Sequence, residues 1–205
     1  MKLVFEQIRA GGDRNFGYLL GDRDAAEGVL IDPSFSPDAF VQRARDQRLA
    51  IAHIINTHSH PDHVNGNEQA TALTGAPVAA PADGDRITVG SLVLEFLHAP
   101  GHCPDHVVIY ERAYGILITG DLLFVGKVGG TRSDEDARTE WDSLRRVMSL
   151  PPTTTVWPGH DYGARPSSTL ALEMASNPFL GCADVEAFLT LKRDWADVKQ
   201  RYGLR

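Results

Sequence analysis

Apolar residues in the first third of the chain fall into short alternating or clustered runs separated by polar turns. Leu3 to Arg9 and Phe16 to Gly21 flank the Gly11-Gly12-Asp13 turn, and Gly28-Val29-Leu30-Ile31-Asp32 follows a second polar stretch, which predicts an antiparallel strand set. Ser36-Pro37-Asp38 reads as a helix N-cap with proline at the first helical position, opening a helix that runs to Arg48. The β-branched run Ile51 to Asn56 predicts a buried strand, and Pro61 fits the first turn of a helix through Val64 to Leu73. Pro77 to Ala80, Arg86 to Val89 and Ser91 to Leu97 read as short strands around Gly84 and Gly90, the last with clear period-two alternation.

The second half repeats the style. Val107 to Tyr110 and Gly115 to Thr119 predict a hairpin, and Ser133 to Leu150 a capped amphipathic helix that stops before Pro151-Pro152. Thr155-Val156-Trp157 reads as a last strand, followed by helices over Ser167 to Ala175 and Val185 to Tyr202. Strands mixed with helices in each half imply an α/β layered fold with two sheets face to face.

No Pro/Gly/Ser-rich linker or charge run divides the 205 residues, so 1–205 is expected to form a single domain. Its 42% apolar and 23% charged residues suit a soluble globular chain with a substantial core. A net charge of −7 argues against a broad nucleic-acid or membrane surface. Two cysteines, Cys103 and Cys182, are too few for a disulfide framework. With no visible secretion signal and no apolar run of spanning length, a cytoplasmic location is the expectation.

The densest chemistry is Thr57-His58-Ser59-His60-Pro61-Asp62-His63. Residues two apart on extended backbone point to the same side, so His58 and His60 can converge on one ion, while Asp62 and His63 project differently and could serve a neighbour. The His and Asp set suits zinc or non-haem iron, and the spacing is not the His-Glu-x-x-His pattern of a zincin helix. His102, Asp121 and His160 each follow a glycine just past an apolar strand, three loops of one design that suggest a single assembled site.

Together, His58-Ser59-His60-Pro61-Asp62-His63, Gly101-His102, Gly120-Asp121 and Gly159-His160 resemble the metallo-β-lactamase superfamily, in its glyoxalase II (hydroxyacylglutathione hydrolase) and persulfide dioxygenase branch. The resemblance implies an αββα four-layer sandwich with the site at one edge between the sheets. It implies that His58, His60, His102 and Asp121 hold a first metal, and Asp62, His63, Asp121 and His160 a second, with Asp121 bridging. Asp62 and Asp121 become the catalytic carboxylates, and a metal-activated hydroxide the nucleophile. Two divalent ions are expected as cofactors, zinc first and iron as the alternative.

The stretch Arg165 to Leu170, Glu173, and Asn177-Pro178-Phe179-Leu180 is similar to the persulfide dioxygenases and short glyoxalase-II-like proteins. The Gly-Cys-Gly-Arg-Thr segment of the dioxygenases is replaced by Phe124 to Thr131. Lys127 and Tyr162 are the substrate-binding candidates, with Arg165 a weaker third. Cys103 and Asp105 depart from the usual residues of the His102 loop, Cys103 reading as a tolerated small residue. His53, His98 and His106 read as core or supporting histidines.

The expected activity is dinuclear hydrolysis of a small thioester or ester. The rival is a mononuclear ferrous dioxygenase that oxidises a persulfide using His58, His102 and Asp121. A lactonase would carry tyrosine where this chain has Phe124, a β-lactamase usually lacks the bridging aspartate, and the acidic balance disfavours a nuclease. The expected partner is a small thioester or thiol-derived molecule, with no nucleic acid and no membrane, and a homodimer as the candidate assembly.

Overall fold

The computed structural model describes residues 2–202. Three strands open the chain, β1 (Leu3–Gly11), β2 (Asn15–Asp22) and β3 (Glu27–Ile31), followed by helix α1 (Pro37–Asp46), strand β4 (Ala50–Ile55), helices α2 (Pro61–Val64) and α3 (Asn67–Thr74), and strand β5 (Val78–Ala79). They build one sheet in the order β1-β2-β3-β4-β5, antiparallel through β3 and parallel from β3 to β5.

A second sheet follows from β6 (Arg86–Val89), β7 (Leu92–His98), β8 (Val107–Glu111) and β9 (Ile116–Gly120). Next come the small hairpin β10 (Leu123–Phe124) and β11 (Lys127–Val128), helix α4 (Asp134–Met148), strands β12 (Thr155–Pro158) and β13 (Ser168–Thr169), and helices α5 (Leu170–Ser176) and α6 (Val185–Tyr202). Its order is β13-β12-β9-β8-β7-β6, and only β12 with β9 is parallel.

The alternation of side chains sorts the core into three clusters. Tyr18 and Leu20, Val29 and Ile31, Ile109, and Ile116 and Ile118 meet between the sheets. Their in-between neighbours Leu19 and Leu30 turn outward to pack under α1 and α3. Val108, Tyr110 and Leu117 turn outward on the other side beneath α4 and α6. With layers packed on both faces, β2, β3, β8 and β9 are buried at nearly every position, and their centres carry unbroken apolar runs such as Tyr18-Leu19-Leu20 and Val29-Leu30-Ile31. The result is helices, two sheets, then helices again, the αββα sandwich expected.

Several boundaries differ from the reading of the sequence. Ser36 does not cap α1 with its side chain; its hydroxyl donates to the Ala10 carbonyl at 2.7 Å and ties the helix start to β1. The helix after Pro61 is broken at Asn65-Gly66, where Gly66 lies so close to the Ser34 backbone that a side chain would collide with it. The segment read as a helix from Ser167 starts instead with two residues of strand, and Thr169 caps α5 by accepting from the Leu172 N–H at 3.3 Å. The β10–β11 hairpin was not predicted, its two-residue strands being too short for any periodicity. No helix among the described residues is long and apolar enough to cross a membrane.

Candidate metal centre

One edge of the sandwich collects the loops that follow β4, β7, β9 and β12, together with the β1–β2 turn. Backbone bonds lash them together: the Gly159 N–H donates to the Gly120 carbonyl at 2.8 Å, and the Phe16 N–H to the Gly159 carbonyl at 2.8 Å. All seven proposed ligands stand here. Their donor atoms form three overlapping groups, His58–His60–His102, His58–His63–Asp121 and Asp62–His63–His160, each within 4.8 Å.

Four histidines are fixed by one ring nitrogen so that the other faces inward. His63 Nδ1 pairs with Asp32 Oδ2 at 2.9 Å, His102 Nδ1 donates to the Gly130 carbonyl at 2.7 Å, and His160 Nδ1 to the Asp13 carbonyl at 2.8 Å. The Thr57 hydroxyl gives its proton to Asp32 at 2.7 Å, so its oxygen accepts from His58 Nδ1 at 3.1 Å. Each of these acceptors keeps the Nδ1 proton in place, so Nε2 is the nitrogen left to bind an ion.

The inward atoms lie close. His60 Nδ1 is 3.0 Å from both His58 Nε2 and His102 Nε2. Asp121 Oδ2 lies 3.6 Å from His102 Nε2 and 3.3 Å from His160 Nε2, so this one carboxylate faces both groups. Asp62 Oδ2 lies 3.4 Å from His160 Nε2 and accepts from Asn15 Nδ2 at 2.9 Å. His63 Nε2 and Asp121 Oδ1, 3.5 Å apart, are buried without a hydrogen-bond partner, the condition of atoms built to meet a cation. Imidazole and carboxylate donors converging on two adjacent points fit a pair of divalent ions.

Charge in the centre is partitioned by position. Burial disfavours the His58 imidazolium, reinforced by His63 and His106, and holds its pKa far below the usual value. Burial acts on His63 too, but the carboxylates of Asp32 and Asp121 outweigh it and push the pKa up to about 11. Asp121 is buried, yet His160 and His63 hold its pKa well below the carboxylate range. Burial lowers His106 to about 3, so its neutral Nε2 accepts the Asp121 N–H at 3.1 Å beneath the site.

Most of the chain matches a known family: the metallo-beta-lactamase superfamily model matches residues 11–86 and 77–160. The chain belongs to the metallo-beta-lactamase superfamily. It is 33% identical over 166 residues to hydroxyacylglutathione hydrolase of Erythrobacter litoralis, covering 73% of this chain and 64% of that protein, so it spans just under two thirds of that relative's length. It is 32% identical over 195 residues to human persulfide dioxygenase ETHE1, mitochondrial, covering 88% of this chain and 75% of that one. Its fold superposes on the crystal structure of ETHE1 from Myxococcus xanthus with a TM-score of 0.86 at 30% identity, covering 94% of this chain and 91% of that chain.

Within this superfamily member the two substrate candidates are neighbours. Lys127 Nζ sits 3.8 Å from the centroid of the Tyr162 ring, which itself stacks on His160 at 4.7 Å and 8°. The Tyr162 hydroxyl donates to Asp13 Oδ2 at 2.6 Å. Burial, with Lys199 and Arg14 nearby, lowers Lys127 to about 8. Glu173 anchors the hairpin that carries it, accepting from the Gly126 N–H at 2.8 Å. Arg165 is exposed on the loop beyond.

Cys103 is not a reactive thiolate: it is buried, donates to Asp105 Oδ1 at 2.7 Å, and burial and Asp105 raise its pKa. His53 and His98 lie outside the three donor groups, and His98 Nε2 donates to the Pro104 carbonyl at 2.8 Å. Asp32, Asn15, Asp13 and Gly130, which orient the ligands, were not singled out in the sequence. The one signal available was Asp32-Pro33-Ser34, a carboxylate at the end of an apolar strand.

Proposed function

We propose that the chain is a metal-dependent hydrolase of small thioesters, with Asp121 serving two ion positions. The position of Asp121 Oδ2 between His102 and His160 carries this reading, because it joins His58–His60–His102 to Asp62–His63–His160 in one polar centre. Two divalent ions, zinc in this reading and iron as the alternative, would supply an activated water and polarise the thioester carbonyl. Asp62, partly open to solvent and held by Asn15, would orient that water by accepting its hydrogen bond. Lys127 offers positive charge to an anionic thiol carrier, and the stack of Tyr162 on His160 forms the wall beside it. The curated hydrolase relative supports the reading.

A second reading, persulfide oxidation, is favoured by the length match with the Myxococcus xanthus protein. It is weakened by the segment after Asp121, where Gly130 stands in the stretch in which the dioxygenases carry Gly-Cys-Gly-Arg-Thr. The two readings respond differently to the metal. Zinc-loaded protein is expected to hydrolyse a glutathione or coenzyme A thioester without consuming oxygen, and His160→Ala to lose most of that activity. Activity confined to the ferrous form, with oxygen uptake on glutathione persulfide and a rate nearly untouched by His160→Ala, would replace the hydrolase with the dioxygenase.

A further inference from the structure

Outside the ligand set, a buried ion pair joins α4 and α6. Glu140 is fully buried in the apolar layer formed by residues such as Leu144, Phe188 and Leu189, and its Oε2 meets the ammonium of Lys192. Its Oε1 has no partner. Burial raises the Glu140 pKa to about 7 and lowers that of Lys192. A pair of apolar side chains would join the two helices at least as well.

What the ion pair adds is reach toward the metal centre. Lys192 Nζ also donates to the Gly129 carbonyl at 2.9 Å. Gly129 is wedged against the Asp121 backbone and the His102 ring, with no room for a side chain, and the next carbonyl, Gly130, receives His102 Nδ1. On the other side, the Glu140 backbone and Cβ fill the space that a side chain at Gly101 would need, directly before His102. The segment that accepts from His102 Nδ1 thus rests on the Lys192 ammonium, which Glu140 holds in place, while the backbone of the same helix turn at Glu140 packs against Gly101.

We propose that Glu140 and Lys192 are positioning residues for the centre: through Gly129 and Gly130 they set the direction of His102 Nε2, and with it the strength of the His58–His60–His102 group. The proposal rests on the metal reading above. It explains why a buried charge sits where a leucine would pack, since a leucine offers no donor to a carbonyl.

The test separates positioning from helix packing. Lys192→Met removes the donor to Gly129, and Lys192→Met/Glu140→Leu replaces the pair by apolar contact; the double variant is expected to regain stability relative to the single one. Zinc affinity is expected to fall roughly 10- to 100-fold in both, as for loss of groups that orient a metal-bound histidine. The visible spectrum of the cobalt-substituted protein is expected to change in both, and Lys192→Arg, which keeps donors and charge, to restore much of the affinity. A double variant with wild-type affinity and cobalt spectrum would overturn the positioning role alone. A wild-type chain that fails to take up zinc or cobalt at this centre would overturn both the role and the metal reading.

Discussion

Asp32 Oδ2 and His63 Nδ1 lie 2.9 Å apart, both side chains 1% exposed, at the point where the loop after β4 folds back onto the end of β3. The same carboxylate accepts the Thr57 N–H at 2.9 Å and the Thr57 hydroxyl at 2.7 Å. Through Thr57 it also sets the tautomer of His58, so one buried aspartate orients a histidine from each donor group.

Asp32→Ala is therefore expected to weaken metal binding roughly 10- to 100-fold without removing a ligand. Because His63 is pushed up to about 11, chelator-treated protein at pH 7 should hold a proton there that a returning ion displaces. Titration calorimetry of zinc in buffers of different ionisation enthalpy would register that release. Asp32→Asn, which removes the carboxylate's attraction for the proton, should reduce it. Equal proton release in the two proteins would dissociate Asp32 from the charge of His63.

Asp121→Ala should cut bound metal from about two ions to one or none and abolish turnover, since the carboxylate faces both groups. Metal analysis of the purified variant checks this. Full occupancy would end the bridging role.

Much of this centre was legible in the chain because its ligands are clustered or repeated. Four of the seven fall between His58 and His63, and the other three follow Gly101, Gly120 and Gly159, where close packing leaves no space for a side chain. Strand alternation likewise exposed β7, where Leu92, Leu94 and Phe96 face the space between the sheets and Val93 faces out. What stayed hidden depends on distant pairing. Asp32 is one of 27 acidic residues, and only its position under Thr57 and His63, 25 and 31 residues away, distinguishes it. Glu140 and Lys192 look like the polar face of two amphipathic helices until α4 and α6 are packed together. The need for glycine at position 66 is set by Ser34, a contact across the fold that helix propensity does not encode.

A different carboxylate joins the two sheets far from the metal edge. Asp22, at the end of β2, accepts the Ser91 N–H at 2.9 Å and the Ser91 hydroxyl in the β6–β7 turn. These bonds lower its pKa from 3.8 to about 2. The folded state therefore binds this proton less readily than the unfolded chain. Asp22 contributes stability that is fully present above about pH 4 and is lost as the pH falls through about 2. Asp22→Asn should flatten the stability profile between pH 2 and 4, as read by urea unfolding, and leave the slope above pH 5 unaltered. An unchanged acid limb would locate the linkage elsewhere.

Lys127 brings pH into substrate binding. Burial, together with Lys199 and Arg14, lowers its pKa to about 8, so the ammonium is present at pH 7 and is lost as the pH rises through 8 to 9. An anionic thioester held by this charge should show a KM that climbs across that interval while kcat changes less, the pattern of an interaction made equally in ground and transition states. Lys127→Ala should raise KM at pH 7 more than it lowers kcat and erase the climb. Lys127→Arg, which stays charged, should keep KM low and flat to higher pH. The aromatic walls sharpen the case, because Lys127 Nζ lies 3.8 Å from the Tyr162 centroid and 5.3 Å from that of Phe124, where desolvation lowers the pKa and strengthens the ammonium's pull on an anion. Steady-state kinetics of the three proteins between pH 6.5 and 10 with a glutathione thioester would decide it. A KM that is independent of pH in the wild type, or unmoved by Lys127→Ala, would return this lysine to the solvated surface.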